Sequence, residues 1–177
     1  EKFMITHFFN PPRYMPLLEV VPGKETKQDY INRIVEFSDI YLGKEIVVCK
    51  DTPGFIANRI GIFWSMVSTQ KAYDLDLTIE EADSIVGKPM GVPKTGIFGL
   101  MDLTGIDLKD HVIDSMFQSL PKNDSFFEVY KPDHPLNPLT KKMVDEGYIG
   151  RKGKGGFYRL IKEKGEKRKQ ALDLNSG

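Results

Sequence analysis

Two residues near the start of the chain could together form a general base. His7 lies near the end of the apolar stretch of residues 3–9, and Glu19 is the only charged residue in the apolar stretch 17–21. An ionised Glu in such a stretch is costly unless it is paired. If the two stretches are adjacent strands, the carboxylate can hold one imidazole nitrogen and raise the basicity of the other. We read the pair as a general base, and a buried ion pair with a purely structural role is the equal alternative.

An amide side chain is the third candidate. Asn58 falls in the first turn of a long predicted helix that follows Thr52-Pro53-Gly54. There it could donate to a substrate oxygen with the help of the helix dipole, and its alternative role is capping or packing. The two other histidines, His111 in a predicted helix and His134 in a Pro-rich loop, are expected to have structural or solvent-exposed roles.

A basic, glycine-rich segment lies near the end of the chain. Residues 150–156 read GRKGKGG, which is similar to a phosphate cradle but lacks the GxxxxGK[ST] spacing. A flexible basic turn is one interpretation, and contact of Lys152 with a pyrophosphate is the other. The sequence contains no GxGxxG, so it has no dinucleotide fingerprint of its own.

Composition restricts the class of protein. The 177 residues are 40% hydrophobic and carry 25 basic against 25 acidic side chains, which is typical of a globular protein and argues against nucleic-acid binding. The single cysteine, Cys49, excludes a disulfide framework and a Cys-based zinc site, and it favours a reducing cytoplasm. We expect no metal site, no signal peptide and no membrane span. Because Glu1 stands in place of Met and opens directly on a strand, we expect the chain to be a piece of something larger.

The predicted elements change in character near Asp51. Before it, the pattern is strand, strand, helix, strand, at residues 3–9, 17–21, 26–42 and 45–49. After it, helices follow one another, beginning at residues 55–73 and including one opened by the capping box Thr78-Ile79-Glu80-Glu81. From residue 161 onward few residues are apolar, and we expect a solvated tail. The sequence therefore predicts an incomplete α/β part followed by a mainly α-helical domain.

Taken together, the motifs resemble the 3-hydroxyacyl-CoA dehydrogenase family. They are the segments HFFNPP from His7, LEVV from Leu18, KDTPGFIANR from Lys50 and GRKGKGGFY from Gly150, in family order along residues 1 to about 160. The resemblance implies the end of a Rossmann NAD-binding domain at residues 1–50, then a helical substrate-binding and dimerisation domain at 51–160, with the fold of the 6-phosphogluconate dehydrogenase C-terminal domain. Residues 161–177 would be a charged tail or linker.

The resemblance also implies roles for individual residues. His7 would accept the proton of the substrate's 3-hydroxyl, Glu19 would orient and support the imidazolium, and Asn58 would position the substrate's oxygens. Asn10 and Lys152 match family positions that touch NAD. The implied reaction oxidises (3S)-3-hydroxyacyl-CoA to 3-ketoacyl-CoA with NAD⁺ in fatty-acid β-oxidation, by a cytoplasmic homodimer with no nucleic acid bound.

The sequence departs from the family in lacking the Gly-rich first part of the Rossmann domain. We therefore expect the chain by itself to be inactive. Residues 86–96 are similar to long bacterial or archaeal β-oxidation proteins that have several activities. The alternatives are a non-catalytic helical dimerisation module, which the separation of His7 from Glu19 would distinguish, and a related oxidoreductase for another hydroxy acid.

Overall fold

The computed structural model describes residues 2–92, 94–163 and 166–176, so the predicted start at Glu1 lies outside the described residues. The chain divides into two compact units, residues 1–59 and residues 60–177. Within the described ranges, no helix combines the length and the apolar character that crossing a membrane requires.

The first unit is a small sheet with one crossover helix. Its strands are β1 (Met4–Phe8), β2 (Leu17–Pro22) and β3 (Glu45–Val48), and helix α1 (Gln28–Ile40) lies between β2 and β3 in the sequence. Strand β2 is central, antiparallel to β1 and parallel to β3. A parallel pair needs a long crossover, and α1 supplies it. The predicted order of strand, strand, helix and strand is thus confirmed.

Burial explains why β2 reads as a nearly continuous apolar run. Leu18 and Val20 are fully buried, as is Val21 on the opposite face of the strand. A strand covered on both faces lacks the polar alternation of a half-exposed strand. Glu19 is buried in the same strand, so its carboxylate needs partners inside the protein.

The second unit is mainly helical. Helix α2 (Ala57–Asp74) crosses the division between the units, and the later elements are α3 (Ile79–Ile85), α4 (Gly96–Thr104), α5 (Ile106–Ser119), α6 (Phe126–Val129), α7 (Leu136–Asp145), β4 (Tyr158–Glu163) and β5 (Glu166–Ala171). The predicted fold class, an α/β part followed by a mainly helical domain, is confirmed. The capping box at Thr78 is also confirmed, because its hydroxyl accepts from the Glu81 amide and the Glu81 carboxylate accepts from the Thr78 amide.

Two apolar clusters hold the second unit together. The larger one centres on Ile97, Phe98, Ile106 and Phe157, all buried to 1% exposure or less. The smaller one joins Met66 of α2 to Met116 and Leu120 near the end of α5, and to Phe126 of α6.

The end of the chain differs from the solvated tail or linker that we expected at residues 161–177. Strands β4 and β5 pair antiparallel, with Tyr158 opposite Ala171 and Arg159 opposite Gln170. Beyond them, Leu174 is buried in the larger cluster, with Leu172 packed against it. The few apolar residues of this charged segment therefore anchor it to the core, while strand pairing satisfies its backbone. Residues 164, 165 and 177 lie outside the described residues.

Candidate active site

The strand register places His7 and Glu19 directly opposite each other on β1 and β2. Residues opposite in an antiparallel pair project from the same face, so the two side chains meet. Nδ1 of His7 lies 2.7 Å from Oε2 of Glu19. The Glu19 side chain is 1% exposed and the His7 side chain is 28% exposed, so the imidazole connects the buried carboxylate to the surface.

The last residue before α2 and the first residue of α2 supply the other partners of Glu19. The backbone amides of Ile56 and Ala57 donate to its Oε1 at 3.0 and 2.8 Å. Burial by itself raises the pKa of Glu19, but the hydrogen bonds from His7, Ala57 and Ile56 outweigh it and leave the pKa below its ordinary value. Glu19 is therefore ionised at neutral pH and can only accept hydrogen bonds.

An ionised acceptor determines the tautomer of His7. Its Nδ1 must carry the proton that is donated to Glu19, which leaves a lone pair on Nε2. Within the described residues Nε2 makes no hydrogen bond. The arrangement can therefore take a proton from a bound hydroxyl through Nε2, while Glu19 stabilises the imidazolium that forms.

Aromatic rings flank the imidazole. The ring of Phe9 lies 4.6 Å and that of Phe55 lies 5.7 Å from the His7 ring, both in edge-to-face geometry. These contacts restrict rotation of the imidazole. They also surround it with apolar surface, which strengthens electrostatic interactions there.

One neighbour of the dyad was not predicted from the sequence. The Cys49 thiol lies 3.7 Å from Oε1 of Glu19, and it is buried. Burial raises the pKa of Cys49, and the Glu19 carboxylate raises it further. The thiol is therefore a weak donor to Glu19 and not a reactive thiolate. In the sequence, the only indication that Cys49 lies near Glu19 was its position at the end of the predicted strand EIVVC.

The two predicted amide candidates lie in the same unit as the dyad. Asn58 is in the first turn of α2, next to the amides that hold Glu19, and Asn10 follows β1 three residues after His7. Both are exposed, and neither side-chain amide makes a hydrogen bond among the described residues. Both are therefore available to a ligand, and their roles stay predictions.

Lys152 lies in the second unit, in the loop of residues 150–156. Its ammonium pairs with the Asp107 carboxylate, at 2.8 Å from Oδ1. This ion pair lowers the pKa of Asp107. A cofactor would therefore have to share or replace the Asp107 contact, and the role predicted for Lys152 remains a prediction.

The two residues that follow this loop are held by a buried carboxylate that our sequence analysis missed. Asp102 of α4 is 4% exposed and accepts from the amides of Phe157 and Tyr158, both at 2.8 Å. Asp102 is the only charged residue in residues 96–104. A single charged residue within an apolar stretch was the pattern that identified Glu19 as a candidate. The same pattern could have identified Asp102.

A second carboxylate anchors the start of α4. Asp83 accepts from the amides of Phe98 and Gly99 at 2.8 and 3.0 Å, and the Tyr158 hydroxyl donates to it at 2.9 Å. Burial raises the pKa of Asp83 and of Asp102. Asp83 stands close to Glu80 and Glu81 in the sequence, so no pattern distinguishes it.

The remaining histidines have the structural surroundings that were expected. His111 Nδ1 lies 2.9 Å from the Asp107 carbonyl on α5. His134 is buried, and its Nδ1 accepts from the Leu136 amide at 3.3 Å.

Comparisons with known proteins agree with the motifs. The model of the 3-hydroxyacyl-CoA dehydrogenase NAD binding domain matches residues 1–52, and that of the C-terminal domain matches residues 54–160. A Rickettsia felis protein named fatty acid oxidation complex trifunctional enzyme is 44% identical over 174 residues, which are 98% of this chain and 24% of that protein. The human mitochondrial hydroxyacyl-coenzyme A dehydrogenase is 34% identical, over 90% of this chain and 48% of its own length.

Solved structures show the same likeness. The (S)-3-hydroxybutyryl-CoA dehydrogenase PaaH1 from Ralstonia eutropha superposes with a TM-score of 0.74 at 28% identity, over 90% of this chain and 53% of that one. M. tuberculosis FadB2 gives a TM-score of 0.73 at 30% identity, over 89% and 52%. The chain thus spans a quarter to a half of the length of these proteins. With family models matched along nearly all of residues 1–160, this chain belongs to the 3-hydroxyacyl-CoA dehydrogenase family.

Proposed function

We propose that this chain is part of an enzyme that oxidises (3S)-3-hydroxyacyl-CoA to 3-ketoacyl-CoA with NAD⁺ in cytoplasmic fatty-acid β-oxidation. The observation that carries the proposal is the 2.7 Å contact of His7 with the buried Glu19. A non-catalytic module would not need this contact beside an imidazole nitrogen that is free to bind a ligand.

The residues present are compatible with a substrate and a nicotinamide cofactor beside His7. The imidazole is partly exposed, its Nε2 is unbonded among the described residues, and the exposed amides of Asn10 and Asn58 lie in the same unit. A bound NAD⁺ would supply the acceptor for the hydride that leaves C3 of the substrate. We assign Asn10 and Lys152 to contacts with it.

The proton is moved by the chain's own residues. His7 Nε2 accepts the proton of the 3-hydroxyl as the C3–O bond becomes a carbonyl, and the imidazolium remains bonded to Glu19 through Nδ1–H. Asn58 positions the substrate oxygen by donating from its amide. A positioned base of this kind contributes about 10²–10⁴-fold to the rate.

The assembly and context are part of the same proposal. Leu103, Leu108 and Phe117 expose apolar side chains on the second unit, which supports a homodimer formed through the helical domain. The likeness to the Rickettsia felis trifunctional enzyme along 98% of the chain supports a protein with several activities. Analytical ultracentrifugation that gives a monomer at micromolar concentration would contradict the dimer.

Mutation of His7 tests the catalytic assignment. In the protein with a complete NAD-binding domain, His7→Gln should lower kcat for acetoacetyl-CoA reduction by about 10²-fold or more. His111→Gln, an exposed histidine on α5, serves as the matched control and should leave kcat unchanged. If kcat of the His7 variant stays within a few-fold of wild type, His7 is not the general base, and the interpretation of the chain as a non-catalytic dimerisation module is favoured.

The chain by itself gives a second test. Its sequence contains no GxGxxG, so we expect the 177-residue chain to show no measurable acetoacetyl-CoA reduction. Turnover by the chain alone would contradict this expectation.

A further inference from the structure

A cavity of about 370 Å³ lies within the second unit, lined by residues of α2, α4, α5 and α7 and of the segment that leads into α7. We refer to it as the helical cavity. Five of its lining side chains are apolar and buried, namely Met66, Phe98, Met101, Leu136 and Phe157. Three of its charged lining side chains are exposed, namely Asp114, Lys131 and Lys141. The helical cavity thus combines an apolar interior with a charged opening, and its volume is within the range of small-molecule sites, about 300–1,000 Å³.

Lys109 of α5 is a half-buried cation in the lining of the helical cavity. Among the residues that the structure describes, its ammonium forms no hydrogen bond and no ion pair. Other lysines of the chain are held by partners, since Lys152 pairs with Asp107 and Lys44 donates to two backbone carbonyls. An ammonium carries three donors. The free-energy cost of removing the Lys109 cation from water is therefore not offset by specific contacts.

This environment favours the neutral amine of Lys109. Burial lowers the pKa of Lys109 to about 8, and the negative charge of the adjacent Asp110 opposes the effect only in part. At pH 8 about half of the Lys109 side chains are therefore neutral, against less than about 1% for a lysine with the ordinary pKa of 10.5. The neutral amine is the nucleophilic form, and desolvation is one way in which proteins activate a lysine. A lysine of this kind inside a cavity is a candidate nucleophile.

We propose that Lys109 is a modification site that accepts a short acyl group from acyl-CoA thioesters. The lone pair of the neutral Nζ attacks the thioester carbonyl carbon, and an amide bond forms as the C–S bond breaks. The proton released from the nitrogen goes to the departing thiolate, so the products are an acylated lysine and free coenzyme A. Nothing is oxidised or reduced. The proposal rests on the proposed function, which makes acyl-CoA thioesters the compounds that this protein handles.

The surroundings of Lys109 also favour the acylated product. Acylation converts the ammonium into a neutral amide and removes a charge whose burial is costly. The buried apolar part of the lining offers contacts to a short hydrocarbon chain. Only the acyl group has to enter the helical cavity, because coenzyme A leaves in the reaction.

The rate of acetylation of the 177-residue chain tests the site without turnover. The chain is incubated with acetyl-CoA at about pH 8, near the pKa of Lys109, and mass spectrometry of its peptides gives the rate at each lysine. Lys141 is the internal control, because it lines the same cavity but is exposed. We expect Lys109 to be acetylated about 10-fold faster than Lys141, because its larger neutral fraction outweighs the lower nucleophilicity of a less basic amine.

Two further measurements separate the possible causes of such a preference. In a denaturing concentration of urea, Lys109 and Lys141 should react at equal rates, because the burial of Lys109 is lost. Acetic anhydride is a much smaller acylating agent than acetyl-CoA, and in the folded chain it should show the same preference for Lys109. Comparison of the two reagents separates the reactivity of the amine from the access of a coenzyme A thioester to it.

Three outcomes overturn the proposal. They are a rate at Lys109 no higher than that at Lys141, a preference for Lys109 that persists in urea, and a preference that acetic anhydride shows and acetyl-CoA does not. Because these measurements involve neither His7 nor turnover, their failure is distinguishable from failure of the His7→Gln kinetic test.

Discussion

Removal of the Glu19 carboxylate should destabilise the first unit strongly. In Glu19→Ala, three donors lose their acceptor: His7 Nδ1 and the amides of Ile56 and Ala57. Each unsatisfied buried donor costs about 1–3 kcal/mol, and breaking a buried charged pair costs about 3–5 kcal/mol. We expect the free energy of unfolding to fall by about 3–5 kcal/mol, because some water can reach His7.

Urea unfolding followed by circular dichroism at pH 7 measures this loss. With a slope of about 2 kcal/mol per molar urea, the midpoint should fall by roughly 2 M. The matched control is Glu36→Ala, which removes an exposed carboxylate from α1 and should change the free energy by less than about 0.5 kcal/mol.

The loss of unfolding free energy in Glu19→Ala should become smaller as the pH falls. The pKa of Glu19 is lower in the folded protein than its ordinary value of 4.5. The ionised carboxylate therefore stabilises the fold fully above pH 4.5, and this contribution is lost as the pH falls through the folded-state pKa. The difference between wild type and Glu19→Ala should accordingly narrow below pH 4.5.

Two results would refute this reasoning. One is a loss below about 1 kcal/mol at pH 7, which would mean that water replaces the carboxylate at little cost. The other is a difference that stays constant or widens as the pH falls from 5 to 3, which would mean that Glu19 is not held in its ionised form.

Two further predictions concern the second unit. Gly150→Ala should lower the free energy of unfolding by about 2 kcal/mol or more, because Gly150 has a φ of +97° and an added Cβ would meet the backbone of Asp102. The control Gly91→Ala, at a φ of +71° with open space around the Cβ position, should cost only about 1 kcal/mol in the same urea assay. Thr78→Ala removes the capping box of α3 and should cost about 1 kcal/mol, and Thr78→Ser should retain most of the stability. The account of Gly150 would be contradicted if Gly150→Ala were at least as stable as Gly91→Ala. The account of the capping box would be contradicted if Thr78→Ala left the free energy of unfolding unchanged.

Local patterns predicted the elements well where burial and periodicity coincide. The β2 stretch of residues 17–21 is observed as Leu17–Pro22, and the helix predicted at residues 55–73 is observed as Ala57–Asp74. These segments are either continuously apolar or periodic over several turns, so the pattern itself determines the structure.

The hairpin at the end of the chain was missed for the opposite reason. Its strands Tyr158–Glu163 and Glu166–Ala171 contain mostly charged residues, which are typical of a solvated tail. Its stability comes from cross-strand pairing and from Leu174 in the core, and both depend on the rest of the fold. Strand propensity is strongly dependent on such context.

By itself, the sequence determined which residues of the dyad needed a partner. A lone Glu19 within an apolar strand must be paired, and a histidine one strand away was the available partner. Only the tertiary structure decided the rest, namely the antiparallel register that sets His7 opposite Glu19 and the amides of Ile56 and Ala57 that keep the carboxylate ionised. The free-energy cost of burying a charged side chain can be estimated from the residue and its neighbours in sequence. Distances between residues far apart in the chain depend on how the strands and helices pack.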